Sequence, residues 1–163
     1  MRLAFATDQD LPQLQRLFDS NLAYLRIAGE VLPDAVGIAD DHACRYMTAE
    51  TSLPGGRCLV AVDGEDVVAT VALVVPHPNE PYPWIGLLLV EGARQGRGIG
   101  GCVADAVEKL LSEEGWSEVR LAVLEANSAA YRFWARQGYS SYDEGEDTQG
   151  RRCFLMRKEL SHT

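Results

Sequence analysis

The chain has 163 residues, enough for one domain with a real core and too few for two of ordinary size. Its 47% hydrophobic and 24% charged content excludes a largely disordered protein. A net charge of -9 excludes a general hold on nucleic acid, which needs Lys and Arg to displace phosphate counterions; it mildly favours a cationic substrate.

Cys44, Cys58, Cys102 and Cys153 lie far apart, with no C-x-x-C pair and no zinc-like Cys/His spacing. They read as reduced, mostly buried thiols, and no metal is expected. The N-terminus lacks the apolar run of a signal peptide. The longest apolar stretches reach about half the roughly 20 residues that span a bilayer. A cytoplasmic protein with no membrane or nucleic-acid partner is expected.

A short strand over residues 2–6 comes first. Asp8 or Asp10 then caps a helix, with Pro12 in its first turn and Leu11, Leu14, Leu17, Phe18 and Leu22 at helical spacing. Pro33 and Asp34 start a second helix through Ala35, Ile38, His42 and Tyr46. Residues 52–56 read as a loop. A hairpin follows: a strand over 58–62, an Asp63-Gly64 turn and a Val-rich strand over 67–75. Pro76, Pro78, Pro81 and Pro83 exclude helix and central strand between it and the next element. Residues 84–90 are apolar on both faces, as in the middle of a sheet.

Glycines crowd residues 92–101, and a helix follows on Val103, Val107, Leu110 and Leu111, ending at Gly115. Residues 119–124 are a strand. Asn127 opens a helix that passes Trp134 and stops at Gly138. Residues 139–142 and 153–158 are the last strands, joined by an acidic stretch over 144–150. The order is β-α-α-β-β-β-α-β-α-β-β, an α/β (α+β) fold with a mixed sheet, in one domain over residues 1–163.

The run Gln95-Gly96-Arg97-Gly98-Ile99-Gly100-Gly101 lies between a strand and a helix. The first amides of a helix lack intrahelical partners, and the helix dipole is positive there. Glycines let an anion approach those amides closely. Gly96, Gly98 and Gly101 also match the dinucleotide fingerprint G-x-G-x-x-G, with Glu125 roughly 20 residues on in place of a ribose-binding acid. Context argues against that reading. The fingerprint normally opens a parallel sheet, whereas here a hairpin precedes it and only 62 residues follow Gly101.

Two segments resemble the GNAT N-acetyltransferase superfamily. Gln95 to Gly100 fits its [Q/R]-x-x-G-x-[G/A] signature. Asn127 to Tyr139, N-x-x-A-x-x-F-W-x-x-x-G-Y, is similar to its N-x-x-A-x-x-[FL]-[YW]-x-x-x-G-[FY] segment. The resemblance spans nearly the whole chain, strongly over 84–139 and weakly over 29–56. It implies a central mixed sheet of six to seven strands flanked by about four helices. It also implies acetyl-CoA as co-substrate and direct acetyl transfer to a primary amine of a small molecule or peptide. Relatives are often dimers, so a homodimer is one implied assembly.

On the same resemblance, the pyrophosphate lies on the amides of Gly96, Arg97, Gly98, Ile99, Gly100 and Gly101, flanked by the Gln95 and Arg97 side chains. The pantetheine pairs with backbone groups of Leu88 and Val90, and an N–H near Leu89 or Val90 polarises the thioester carbonyl. Asn127 contacts the pantetheine or caps its helix. Trp134 stands where many relatives have the Tyr that protonates the leaving thiolate. Indole is no acid at useful pH, so Trp134 is expected to wall the slot, with Tyr131 one turn earlier as substitute acid. Relatives' early-strand Glu has only Leu121-Ala122-Val123 here, which leaves Glu125 as candidate base and Glu91 as a solvent-facing alternative. Tyr24, Arg26, His77, Tyr82 and Trp84 are candidate substrate-lining residues. His42 and His77 read by themselves as solvent or core histidines. The missing Tyr and apolar strand also fit a non-catalytic CoA-binding regulatory module.

Overall fold

The computed structural model describes residues 1–30 and 34–161. Seven strands make one mixed sheet: β1 (Arg2–Phe5), β2 (Gly56–Asp63), β3 (Asp66–Val74), β4 (Trp84–Val90), β5 (Glu118–Leu124), β6 (Ser140–Glu146) and β7 (Arg152–Glu159). Their spatial order is β1-β2-β3-β4-β5-β7-β6, antiparallel throughout except for the central parallel pair β4-β5. This mostly antiparallel order rules out the doubly wound parallel sheet that the dinucleotide fingerprint needs.

The helices are α1 (Leu11–Asp19), α2 (Leu22–Ile27), α3 (His42–Ser52), α4 (Ile99–Glu113) and α5 (Ser128–Arg136). Strand side chains alternate between faces and so divide the core in two. Leu59, Val71, Leu121 and Met156 pack with α4 and α5 residues such as Val107 and Trp134. Val60, Val67 and Leu89 pack with Leu14, Phe18 and Leu25 of α1 and α2 and Ala43 of α3.

Among the described residues five helices replace the expected four, because the first breaks in two. Ser20 Oγ donates to the Leu17 carbonyl at 2.7 Å, and the Asn21 amide leaves the helix path with φ -124° and ψ 34°. Side-chain bonds to nearby backbone compete with helix continuation in this way. Asp10 does not cap α1 forwards. Its carboxylate accepts the Thr7 N–H at 2.8 Å, and Asp8–Asp10 form a 3-10 turn ahead of the helix.

The second expected helix starts later than Asp34; Pro33 lies outside the described residues. α3 begins at His42 because Gln15 of α1 supplies a remote cap. Its Oε1 accepts the Ala43 N–H at 2.9 Å, and its Nε2 donates to the Ala39 carbonyl at 2.7 Å. No local pattern encodes that tertiary contact.

The hairpin turn is Gly64-Glu65, one residue beyond the expected one, with Asp63 opposite Asp66 and Gly64 at φ +65°. β6 runs on to Glu146, into the stretch expected as a connection. It is an exposed edge strand, held by pairing with β7 rather than by an apolar face. Gly115 and Gly138, both at φ +95°, end α4 and α5 as expected. Among the described residues no helix is long and apolar enough to cross a membrane.

Leu121 is fully buried at the last register where β4 and β5 pair. Leu121→Ala is expected to cost about 3 kcal/mol of stability through lost burial and a residual cavity, measurable by urea denaturation.

Candidate active site and cofactor cleft

β4 and β5 pair only at Trp84↔Arg120 and Ile85↔Leu121. Beyond those residues the strands part, although β3 still holds β4 up to Val90 and β7 holds β5 up to Leu124. Ala72 faces Leu87 and Leu73 faces Ile85, so Gly86 is an extra, unpaired residue. This β-bulge bends β4 at the point where β5 leaves it. The sequence shows an apolar central strand but not the bulge; the lone glycine in an otherwise apolar run is the available signal.

The parting leaves one edge of β4 open. The Glu91 N–H donates to the Val68 carbonyl of β3 at 2.9 Å. Strand alternation then turns Leu89 towards β3 and directs the backbone N–H and C=O of Leu88 and Val90 to the open edge. Leu89 is thereby removed as the source of a free N–H. The Val90 carbonyl is already satisfied: Asn21 Nδ2 donates to it at 2.9 Å and Gln95 Nε2 at 3.0 Å. Gln95 Nε2 also donates to Asn21 Oδ1 at 2.7 Å. Gln95 therefore locks the loop to the strand and to α2, a role its expected place beside a phosphate does not suggest. Asn21, which is buried, is not singled out by any sequence pattern.

The four glycines of the loop divide by use. Gly96 (φ +78°) and Gly98 (φ +80°) take left-handed conformations, and a Cβ on either would meet nothing within 4 Å. A Cβ on Gly100 would lie 3.1 Å from the Phe133 ring, and one on Gly101 3.2 Å from Gln137 Nε2. The first pair shapes an open concavity at the N-terminus of α4; the second lets α4 approach α5. Arg97 is exposed and does not line the cleft. Arg94 does line it, held by Glu91 at 2.7 Å and Asp66 at 3.0 Å.

The resulting cleft has a volume of about 710 Å³ and runs from the loop between β4 and α5. Leu88, Leu89, Val90, Gln95, Gly96, Gly98, Ile99, Gly100, Gly101, Asn127 and Trp134, all expected cofactor contacts, line it. Asn127 Oδ1 also accepts the Ala130 N–H at 3.1 Å, so it caps α5 while lining the cleft. Trp134 is largely buried, with Phe133 and Tyr139 edge-on at 4.9 and 5.0 Å. It forms part of the cleft lining.

The expected proton-transfer residues are not brought to the cleft. Glu125 is exposed and ion-paired with Arg152 at 3.2 Å. Tyr131 packs edge-on against Phe154 at 5.1 Å on the β7 side. Neither lines the large cleft.

A second cavity of about 370 Å³ lies on the other face of β4, under α3. Tyr24, Glu30, His42, Glu50, Gly86 and Leu87 line it, and Tyr24 lines the large cleft too. Burial and the nearby Glu30 carboxylate raise the Tyr24 phenol above its ordinary pKa, so it keeps its proton at neutral pH. Tyr24 is the only one of the five expected substrate-lining residues found in either cavity. Arg26 donates to the Ala35 carbonyl, Tyr82 lies under the Arg120 guanidinium at 4.4 Å, and His77 and Trp84 pack together at 5.0 Å. Tyr82, Trp84 and Arg120 sit at the closed end of the β4-β5 fork, where the strands still pair.

Among the described residues no group of three or more His, Cys, Asp or Glu is placed to hold a metal ion. All four cysteines are free; Cys58 and Cys153 are buried, while Cys44 and Cys102 are exposed rather than buried.

The chain is thus an α/β protein with a forked parallel pair beside a glycine-shaped helix N-terminus. Residues 20–139 match the model of the acetyltransferase (GNAT) family, and the chain belongs to that family. Its fold is similar to that of an acetyltransferase from Thermus thermophilus, with a TM-score of 0.78 and 23% identity over 98% of this chain and 96% of that one. It is also similar to the PaiA N-acetyltransferase of Thermoplasma acidophilum in complex with coenzyme A (TM-score 0.71, 18% identity, 98% of each chain). The ribosomal-protein-S18-alanine N-acetyltransferase of Escherichia coli has a TM-score of 0.68 at 14% identity, over 99% of this chain and 95% of that one. No curated protein sequence matches significantly.

Asn21→Ala removes the bonds to the Val90 and Leu17 carbonyls inside the protein. It is expected to cost about 2 kcal/mol by leaving buried carbonyls under-satisfied, read as a lower urea midpoint at unchanged slope.

Proposed function

We propose that this family member moves the acetyl group of acetyl-CoA to a primary amine by direct attack. The observation that carries the reading is the open edge of β4, which leads from the Gly86 bulge to the glycine-shaped N-terminus of α4. The residues suit the cofactor. The empty space over Gly96 and Gly98 gives pyrophosphate oxygens access to the loop amides and to the positive end of α4. Leu88 and Val90 offer backbone groups to an extended pantetheine, and Asn127 and Trp134 close the far wall. Acetyl-CoA supplies an activated acyl group there when bound.

The chain's own part is positioning, polarisation and proton movement. The Val90 N–H lies on the open edge, on a strand fixed by the bonds to its carbonyl. A fixed N–H aimed at developing negative charge stabilises it without reorganisation. The amine has to lose a proton before attack, and the leaving thiolate has to gain one. We assign the donor role to Tyr24, the phenol common to both cavities, in preference to Tyr131. Glu125, paired at the surface, is not retained as base.

Gly98→Glu places a side chain and a negative charge in the phosphate space and is expected to abolish acetyl-CoA binding in titration calorimetry, with the fold intact by circular dichroism. Full affinity in that variant rejects the cradle. Tyr24→Phe is expected to lower turnover about 100-fold while acetyl-CoA affinity holds, measured as thiol release across an amine panel. Glu125→Gln is expected to keep the wild-type pH profile. Tight cofactor binding with no turnover on any amine marks the protein instead as a non-catalytic CoA-binding module.

A further inference from the structure

The cavity under α3 is not needed to hold the cofactor. α3 presents His42, Tyr46 and Glu50 at intervals of four residues, so one helix face roofs the space. From His42 to Glu50 that face runs about 12 Å at the rise of an α-helix. The floor is β4 at Gly86 and Leu87, and the exposed Gly86 puts no side chain into the space. Tyr24 closes the end shared with the cofactor cleft. Glu30 enters from the turn after α2: its N–H donates to the Leu25 carbonyl at 2.9 Å, and Gly29 at φ +76° makes the turn.

The charges in this cavity are unbalanced. Neither Glu30 nor Glu50 has an ion-pair partner among the described residues. The cation on the same wall, Arg45, pairs outward with Asp41 at 3.1 Å. Burial, and then the Glu30 carboxylate, raise the Glu50 pKa. Burial lowers the His42 pKa in spite of Glu30, so the imidazole adds no positive charge at neutral pH. Glu30 and Glu50 share the lining with one guanidinium, Arg45, whose charge Asp41 already engages, so the cavity keeps a negative balance that is complementary to a positively charged ligand.

We infer that this cavity receives the acceptor and that Glu30 and Glu50 hold a second cationic group of it, so that the substrate is a diamine or a longer oligoamine rather than a monoamine. One amine lies at the Tyr24 end, next to the open edge of β4, and the far ammonium lies between the two carboxylates. This rests on the acetyl-transfer reading above and deepens it.

The test is titration calorimetry on protein saturated with CoA, which carries no acetyl group to transfer, using pentane-1,5-diammonium and pentylammonium as probes of equal length. The diammonium is expected to bind at least about tenfold tighter, with the preference weakening as salt rises. Glu30→Gln and Glu50→Gln are each expected to erode that preference by about tenfold without changing CoA affinity or thermal midpoint. Equal affinity for the two probes in the wild-type protein overturns the inference, as does an undiminished preference in both variants. Titrating CoA itself into the free protein separates the two readings. If CoA itself fails to bind, the acetyl-transfer reading fails; if CoA binds and the probes are not distinguished, only the oligoamine assignment falls.

Discussion

The structure depends on a parallel strand pair that is allowed to fail. β4 and β5 share two registers and then separate, and the Gly86 bulge fixes the point of failure. A buried strand edge is costly unless its polar groups find partners. Here the cost is met selectively. Asn21 and Gln95 both donate to the Val90 carbonyl, while the Val90 and Leu88 N–H groups keep the open side. The fork thus has a satisfied anchor at its rim and free donors along its wall. The break between α1 and α2 serves the same anchor, since it is what delivers Asn21 to β4.

Around that fork the two faces of the sheet take separate tasks. α4 and α5 build the cofactor side, where Gly100 and Gly101 let the helices close on Phe133 and Gln137, and Gly96 and Gly98 leave space at the helix end. α1, α2 and α3 build the other side, where an aromatic edge cluster of Phe18, His42 and Tyr46 sets α3 above β4. Tyr24 is the residue common to both cavities, and the exposed glycine of the bulge keeps the floor between them bare. Membership of the acetyltransferase family accounts for the first face. The second carries the acidic residues Glu30 and Glu50.

Much of this is legible in the sequence wherever the signal is local. The Val-rich hairpin, the apolar strand 84–90, the glycine stops at Gly115 and Gly138 and the Asn127 cap all act through neighbours a few residues away, and each falls within a residue or two of its expected place. Where a partner comes from far along the chain, expectation and structure part. α3 starts at a cap supplied by Gln15, the first helix breaks for a bond to Val90, and β6 is a strand because β7 pairs with it. The candidate base and acid lie away from the cleft for the same reason. Glu125 and Tyr131 stand at suitable spacing from Asn127, but Arg152 and Phe154, on a strand more than 20 residues away, draw them to the other side.

The sequence by itself determined the fold class, the family and the place of the glycine loop, because glycine conformation, capping and strand-to-helix succession are properties of contiguous residues. Only the tertiary structure decided which N–H groups of β4 stay free, what Gln95 is for, and that Glu30, His42 and Glu50 share one cavity. Those depend on where a strand pair parts and on which distant side chain arrives first, and burial then lowers the His42 pKa and raises that of Glu50.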